Sequence, residues 1–180
     1  KICSDEVHCD LILNDKKHVP LASLSDEFSK NTITLMAPSK TFNVAGLGCG
    51  FAIIPDFKWR QSFQISMRGV SPFVNTMGYV ACEAAYKFGE AWRLELIEYL
   101  KGNVQFIDEF LKNELPDLEW VKPEATYLAW FDATKLAVDD PTPFFKRHGV
   151  GFSPGHTFGS KGWIRMNFGC SKATLEEGLG

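Results

Sequence analysis

The sequence predicts an α/β domain followed by a smaller α+β domain. Three observations carry that reading. Short β-branched runs alternate with helical patterns through the first part of the chain; one long amphipathic pattern covers residues 91–114; four short strand-like segments and one short helical pattern fill the rest.

Each element has its own justification. Lys1-Ile2-Cys3-Ser4 reads as the end of a strand whose beginning lies outside the sequence, and Leu11-Ile12-Leu13 is a short apolar run ended by Asn14-Asp15. Residues 23–30 pattern as a helix, with Ser23 as N-cap and Asp26 three positions on. Thr32-Ile33-Thr34-Leu35-Met36 is rich in β-branched residues and reads as a strand. Pro38, Gly46, Gly48 and Gly50 make the next stretch a loop, and Phe51-Ala52-Ile53-Ile54, stopped by Pro55, reads as a buried strand. Residues 56–67 are helical, and Pro72 suits the first turn of a second helix running to about Phe88. In the long helix, Leu94, Ile97, Val104, Ile107 and Leu111 repeat at helical steps until Pro116 ends the run. Strands are then expected at residues 118–121, 126–132, 150–152 and 162–168, with a short helix around 142–148. Thr174-Leu175-Glu176-Glu177 opens a further helical pattern cut off at Gly180. The division into domains is placed at residues 1–85 and 86–180, and the sequence reads as an internal piece of a longer protein.

Composition narrows the function classes. At 180 residues, with 45% hydrophobic and 23% charged residues, the chain resembles an ordinary soluble globular protein that can bury a core. A formal net charge of −3 offers no basic face for nucleic acid. No apolar run approaches the roughly 20 residues that span a bilayer, and no signal-peptide pattern opens the chain. Five scattered cysteines (Cys3, Cys9, Cys49, Cys82, Cys170) lack CxxC spacing, which points to reduced thiols in the cytoplasm rather than a disulfide scaffold or a metal site.

Three segments bear chemistry. Ser4-Asp5-Glu6-Val7-His8 stands at the carboxyl end of a strand, where open α/β sheets bind ligands, though it reads equally as a solvated turn. Lys40 follows a strand in a Gly-rich loop flanked by apolar residues; desolvation there disfavours an ammonium, and a neutral amine is what a Schiff base or general base needs. The bland reading is a surface lysine. In Gly162-Trp163-Ile164-Arg165-Met166-Asn167-Phe168, alternation puts Ile164, Met166 and Phe168 on one face and Arg165 and Asn167 on the other. A guanidinium among aromatics, preceded by Ser153-Pro154-Gly155, suits a carboxylate held by two parallel hydrogen bonds, or else a structural salt bridge.

Taken together and in order, Asp-x-x-His, Ser-Lys-x-Phe-Asn-x-Ala-Gly-Leu, Pro-Gly-x-x-Phe-Gly and Ile-Arg-x-Asn resemble fold-type-I pyridoxal-phosphate enzymes, the superfamily of class I/II aminotransferases. Residues 4–11 and 37–47, with Thr126-Tyr127-Leu128-Ala129-Trp130-Phe131-Asp132 and Asn167-Phe168-Gly169-Cys170, are similar to its cystathionine β-lyase and cystalysin branch. The resemblance covers essentially the whole chain and the second half of such an enzyme: part of the large α/β domain plus the small α+β domain.

The resemblance implies roles. Lys40 would hold pyridoxal 5'-phosphate and later move the Cα proton. Asp5 would keep the pyridine nitrogen protonated. His8 stands where many relatives have a tyrosine reaching the cofactor's phenolic oxygen, and Ser39 would touch the phosphate or serve only as a turn residue. Arg165 would clamp the α-carboxylate of an amino-acid substrate. Two positions depart from the common aminotransferase pattern, Gly48 in place of an arginine and Ala37 in place of Gly or Ser; the lyase branch also lacks that arginine, which tilts the implied reaction towards α,β-elimination from cystathionine or a related cysteine conjugate. Transamination and a non-catalytic fragment are the other readings, and weak or absent turnover is expected of these 180 residues alone. The family's homodimers imply a partner subunit, with Ser71-Pro72-Phe73-Val74-Asn75-Thr76 the candidate for reaching it, or a plain helix start.

Overall fold

The computed structural model describes residues Lys1–Gly180, which form two compact units, Lys1–Glu95 and Leu96–Gly180. That division falls inside a long helix, whereas the sequence reading divides the chain ahead of it, at 85/86.

In the first unit, β1 (Ile2–Asp5), β2 (Thr32–Met36) and β3 (Phe51–Ile53) form a sheet in that order. β1 runs parallel to β2, with Ile2 opposite Thr32 and Asp5 opposite Leu35. Parallel neighbours need a crossover connection, and residues 6–31 provide it, ending in the helix α1 (Asp26–Asn31). Ser25, not Ser23, caps α1: its extended backbone lets its hydroxyl accept from the Phe28 N–H at 3.3 Å, while Ser23 ends a 3-10 turn and donates to the Pro20 carbonyl. β3 returns antiparallel, Met36 opposite Phe51. It is an edge strand rather than a buried one, so Phe51 and Ile53 are exposed and only Ile54 beyond it is buried. The buried apolar set of this unit is small, centred on Leu11, Leu13 and Ile54.

Two helices follow. α2 (Phe57–Met67) starts at Asp56, whose carboxylate accepts from the Trp59 N–H at 2.9 Å. α3 (Thr76–Phe88) starts at Asn75, leaving Pro72 outside its first turn. Asn75 wins because its side chain does two things at once: its oxygen accepts from the Gly78 N–H at 2.8 Å and its amide donates to the Leu47 carbonyl at 2.9 Å.

The second unit takes most of α4 (Glu90–Glu114). Ile97, Leu100, Val104, Ile107 and Leu111 are buried at steps of three and four, the stripe that an amphipathic helix presents to a core. Leu94, expected in that stripe, belongs to the first unit and is exposed. β4 (Glu119–Trp120), β5 (Leu128–Asp132), β6 (Ser153–Pro154) and β7 (Trp163–Asn167) form an antiparallel sheet in the order β4-β5-β7-β6. Ala129, Phe131, Ile164, Met166 and Phe168 are buried along its inner face, each large side chain contributing roughly 1.5–3 kcal/mol when fully buried. The strand expected at residues 150–152 lies instead at Ser153–Pro154, because the Phe152 ring is taken edge-on between Phe131 and Phe145, at 6.3 and 4.9 Å. α5 (Pro141–Arg147), capped by Asp140, and α6 (Lys172–Leu179), capped by Ser171, complete the unit. No helix is long and apolar enough to cross a membrane.

Candidate functional site

The sequence-derived candidates fall in two places, one in each unit. Asp5, His8, Ser39 and Lys40 share the first. Because β1 and β2 run the same way, the chain leaves the sheet after Asp5 and after Met36 on one edge, and the Glu6 N–H closes that edge by donating to the Leu35 carbonyl at 2.9 Å. Asp5 is exposed and accepts one long bond, from the Val7 N–H at 3.4 Å. His8 is half-buried in the turn that follows, its carbonyl accepting from the Leu11 N–H at 3.0 Å.

Glu6, for which the sequence suggested no separate role, holds this turn. It is buried and accepts from Ser4 Oγ at 2.9 Å, His18 Nε2 at 2.7 Å and the Leu21 N–H at 3.1 Å. Burial would raise its carboxyl, but the bonds from His18, Leu21 and Ser4 outweigh that and keep it below its ordinary value of 4.5. Beyond it, Arg93 donates to the Asp10 carbonyl at 2.9 Å while pairing with Glu90. Burial first, then the Asp10 and Glu6 carboxylates, push the Cys9 thiol up to about 11.

Lys40 sits in a turn that begins at Pro38, whose carbonyl accepts from the Phe42 N–H at 2.9 Å. Phe42 anchors the turn among aromatics, 5.8 Å edge-on from Tyr86 and 6.0 Å from Trp92, and Gly89 is required there because a Cβ would lie 2.5 Å from its ring. Pro38 and Thr41 are buried and Ser39 is half-buried, yet Lys40 is exposed. The apolar surroundings expected around Lys40 are therefore not found within this unit, where the residue is exposed between half-buried Ser39 and buried Thr41. Neither Lys40 nor Asp5 is in an ion pair, and the hydroxyl of Thr41 is buried without a partner. Gly48 has φ +58, a left-handed conformation that an arginine would adopt only with strain.

Arg165 occupies the second place, on β7, opposite Trp130 of β5 and Ser153 of β6. The predicted alternation holds: Ile164, Met166 and Phe168 are buried and Arg165 and Asn167 face outward. The structural salt bridge weighed for Arg165 is not what is found, since its guanidinium lies on the ring of Phe158, 4.1 Å from the centroid. Trp130 meets Phe158 edge-on at 5.8 Å and stacks on Trp163 at 5.7 Å. Beneath, Asn103 of α4 is buried and donates to the Phe168 and Cys170 carbonyls at 2.9 and 3.1 Å, holding the end of the strand. The sequence reading missed Glu6, Phe158 and Asn103 as supports. A carboxylate inside the Asp-Glu-Val-His run and an asparagine on the apolar stripe of α4 were the signals available.

The family model described as aminotransferase class I and II matches residues 2–180. Cystathionine beta-lyase PatB of Bacillus subtilis is 42% identical over 99% of this chain and 48% of its own length. The crystal structure of OvoB superposes with a TM-score of 0.94 at 46% identity, covering 98% of this chain and 47% of that one. That of cystalysin from Treponema denticola, which contains a pyridoxal 5'-phosphate cofactor, gives 0.92 at 32% identity, covering 98% and 46%. The fold is thus the fold-type-I architecture expected from the sequence, and the chain spans about half the length of the relatives it matches. With four ordered motifs on that architecture and the family match over residues 2–180, the chain belongs to the class I and II aminotransferase family.

Proposed function

We propose that the protein is a pyridoxal-phosphate-dependent carbon–sulfur β-lyase, releasing pyruvate, ammonia and a thiol from cystathionine or a related cysteine S-conjugate. The observation that carries the reading is the parallel pairing of β1 with β2, which brings the Asp5 carboxylate and the Lys40 turn to one sheet edge. An unpaired amine, an unpaired carboxylate and the unsatisfied Thr41 hydroxyl beside Lys40 fit a cofactor bearing an aldehyde, a pyridine nitrogen and a phosphate. Similarity to PatB, a cystathionine beta-lyase, supports elimination over other chemistry of the family, and similarity to cystalysin supports the cofactor.

In this reading Lys40 holds the cofactor through Nζ, Asp5 keeps a proton on the ring nitrogen, and His8 and Ser39 make further contacts. When bound, the cofactor supplies an electron sink for the pair left at Cα. Arg165 clamps the substrate carboxylate with two parallel N–H bonds, which orients the Cα–H bond for removal. Lys40 Nζ, released as a free amine when the substrate amine takes its place, would take that proton, and the thiolate would leave from Cβ. Gly48, whose left-handed backbone disfavours the arginine of aminotransferases, supports elimination. Transamination is the second reading, because the same proton transfer opens both routes and the family bears that name.

The complete protein is placed in the cytoplasm as a homodimer. All five cysteines are free thiols, as a reducing compartment keeps them. The stretch Ser71–Thr76 is the segment assigned to reach the partner subunit; Phe73 is fully exposed there, between exposed Val70 and Met77, an apolar surface of the kind that marks interfaces.

The test uses the natural full-length protein with added pyridoxal phosphate. A yellow, borohydride-reducible adduct mapping to Lys40, lost in Lys40→Ala, and pyruvate released from cystathionine with no keto acid present are expected. Strict dependence on an added keto acid would establish transamination instead; no adduct at all would leave a non-catalytic protein.

A further inference from the structure

We propose that Phe158 is a positioning residue for Arg165: its ring holds the guanidinium by one face so that the N–H edge stays open to a carboxylate. The inference rests on the reading of Arg165 as the substrate-carboxylate clamp and goes beyond it, because it assigns the work of the Pro154-Gly155-His156-Thr157-Phe158-Gly159 turn.

That turn is built for delivery of one side chain. Ser153 and Pro154 pair with Arg165 and Ile164, which fixes the start of the turn against β7. Gly155 then passes so close to β7 that a Cβ would lie 2.4 Å from the Trp163 carbonyl oxygen and 2.5 Å from that of Ser160. Thr157 Oγ1 donates to the Pro154 carbonyl at 2.7 Å, the Ser160 N–H donates to the Gly155 carbonyl at 3.0 Å, and Gly159 leaves the turn at φ +87. The residue these constraints project is Phe158, whose centroid stands 4.1 Å from Arg165 Cζ.

The chemistry follows from the shapes. A guanidinium donates only in its own plane, while an aromatic ring attracts a cation over its face. The Phe158 face therefore engages the charge while the N–H groups keep their capacity to donate to an acceptor. A carboxylate at the same spot would have used them. Phe158 is itself held edge-on by Trp130, which is backed by Trp163 at 5.7 Å and an interplanar angle of 24°. The series Trp163, Trp130, Phe158, Arg165 restrains a side chain that is otherwise long and mobile, and restraint in the free protein strengthens binding.

The experiment measures acetate binding to the natural full-length protein, by titrating the backbone N–H resonances of residues 163–167, and KM and kcat for cystathionine. Phe158→Leu keeps apolar bulk without the ring face, and Phe158→Tyr keeps the face. The expected result is an acetate Kd and a KM raised roughly two- to tenfold in Phe158→Leu with kcat within about twofold, both restored in Phe158→Tyr. Unchanged acetate affinity in Phe158→Leu, with binding abolished by Arg165→Gln, would overturn the role of Phe158 and keep that of Arg165. Unchanged affinity in Arg165→Gln as well would overturn both.

Discussion

Asn103 Nδ2 donates to the Phe168 carbonyl at 2.9 Å, across 65 residues of chain, and also to Cys170 at 3.1 Å. One buried amide on α4 thus holds the end of the strand that carries Arg165. Asn103→Leu keeps the size and removes both donors. A buried acceptor left unpaired costs about 1–3 kcal/mol, so urea denaturation of the variant is expected to show a loss of about 2 kcal/mol. A loss below about 0.5 kcal/mol would mean that the strand end is held by packing alone.

Glu6 makes stability depend on acid. Its carboxyl is held below 4.5 in the folded protein, so its contribution is fully present above that value and is lost as pH falls through the lower, folded-state value. Glu6→Gln cannot lose a charge it does not have. The variant is expected to be less stable at pH 7 by about 1–3 kcal/mol and to show a flatter acid limb in a plot of unfolding free energy below pH 4.5. Parallel acid limbs in the two proteins would remove Glu6 as the titrating group.

Cys9 is a protected thiol beside the candidate site. With its pKa pushed up to about 11 by burial and by Asp10 and Glu6, only about one molecule in a thousand carries the thiolate at pH 8. Exposed Cys3 is expected to be alkylated by iodoacetamide well ahead of Cys9, as read by peptide mass mapping over a time course. Equal rates would contradict the environment found for Cys9.

Asp5→Asn separates cofactor capture from turnover. The amine at Lys40 is untouched, so the borohydride-reducible adduct of the natural protein is expected to form as before. On the proposed role of Asp5 the ring nitrogen would then not be held protonated, and loss of such a preorganised charge is expected to lower kcat on the order of a hundredfold. Wild-type kcat in Asp5→Asn would remove Asp5 from the ring nitrogen.

Much of this was legible in the linear chain for reasons of periodicity. Thr32–Met36 is rich in β-branched residues and became β2 as read; residues 162–168 alternate, and Arg165 came out on the open face because side chains on a strand alternate by geometry. The errors lie where two local solutions compete. Ser23 has Asp26 three positions on, but backbone conformation chose Ser25 as the cap; Pro72 is a good first-turn residue, but Asn75 could also reach Leu47. Phe152 was drawn into an aromatic cluster and took its segment out of the sheet.

What the sequence determined by itself was the chemistry available and the order in which it comes: Asp5 before Lys40 before Arg165, on strands and turns that their neighbours dictate. Tertiary structure alone decided which groups stand together and how each is held. Asp5 and the Lys40 turn share an edge only because β1 pairs parallel to β2, and Arg165 lies on Phe158 only because Gly155 lets the turn press against β7. Contacts between residues distant along the chain depend on register and close approach, and neither is encoded in any local window.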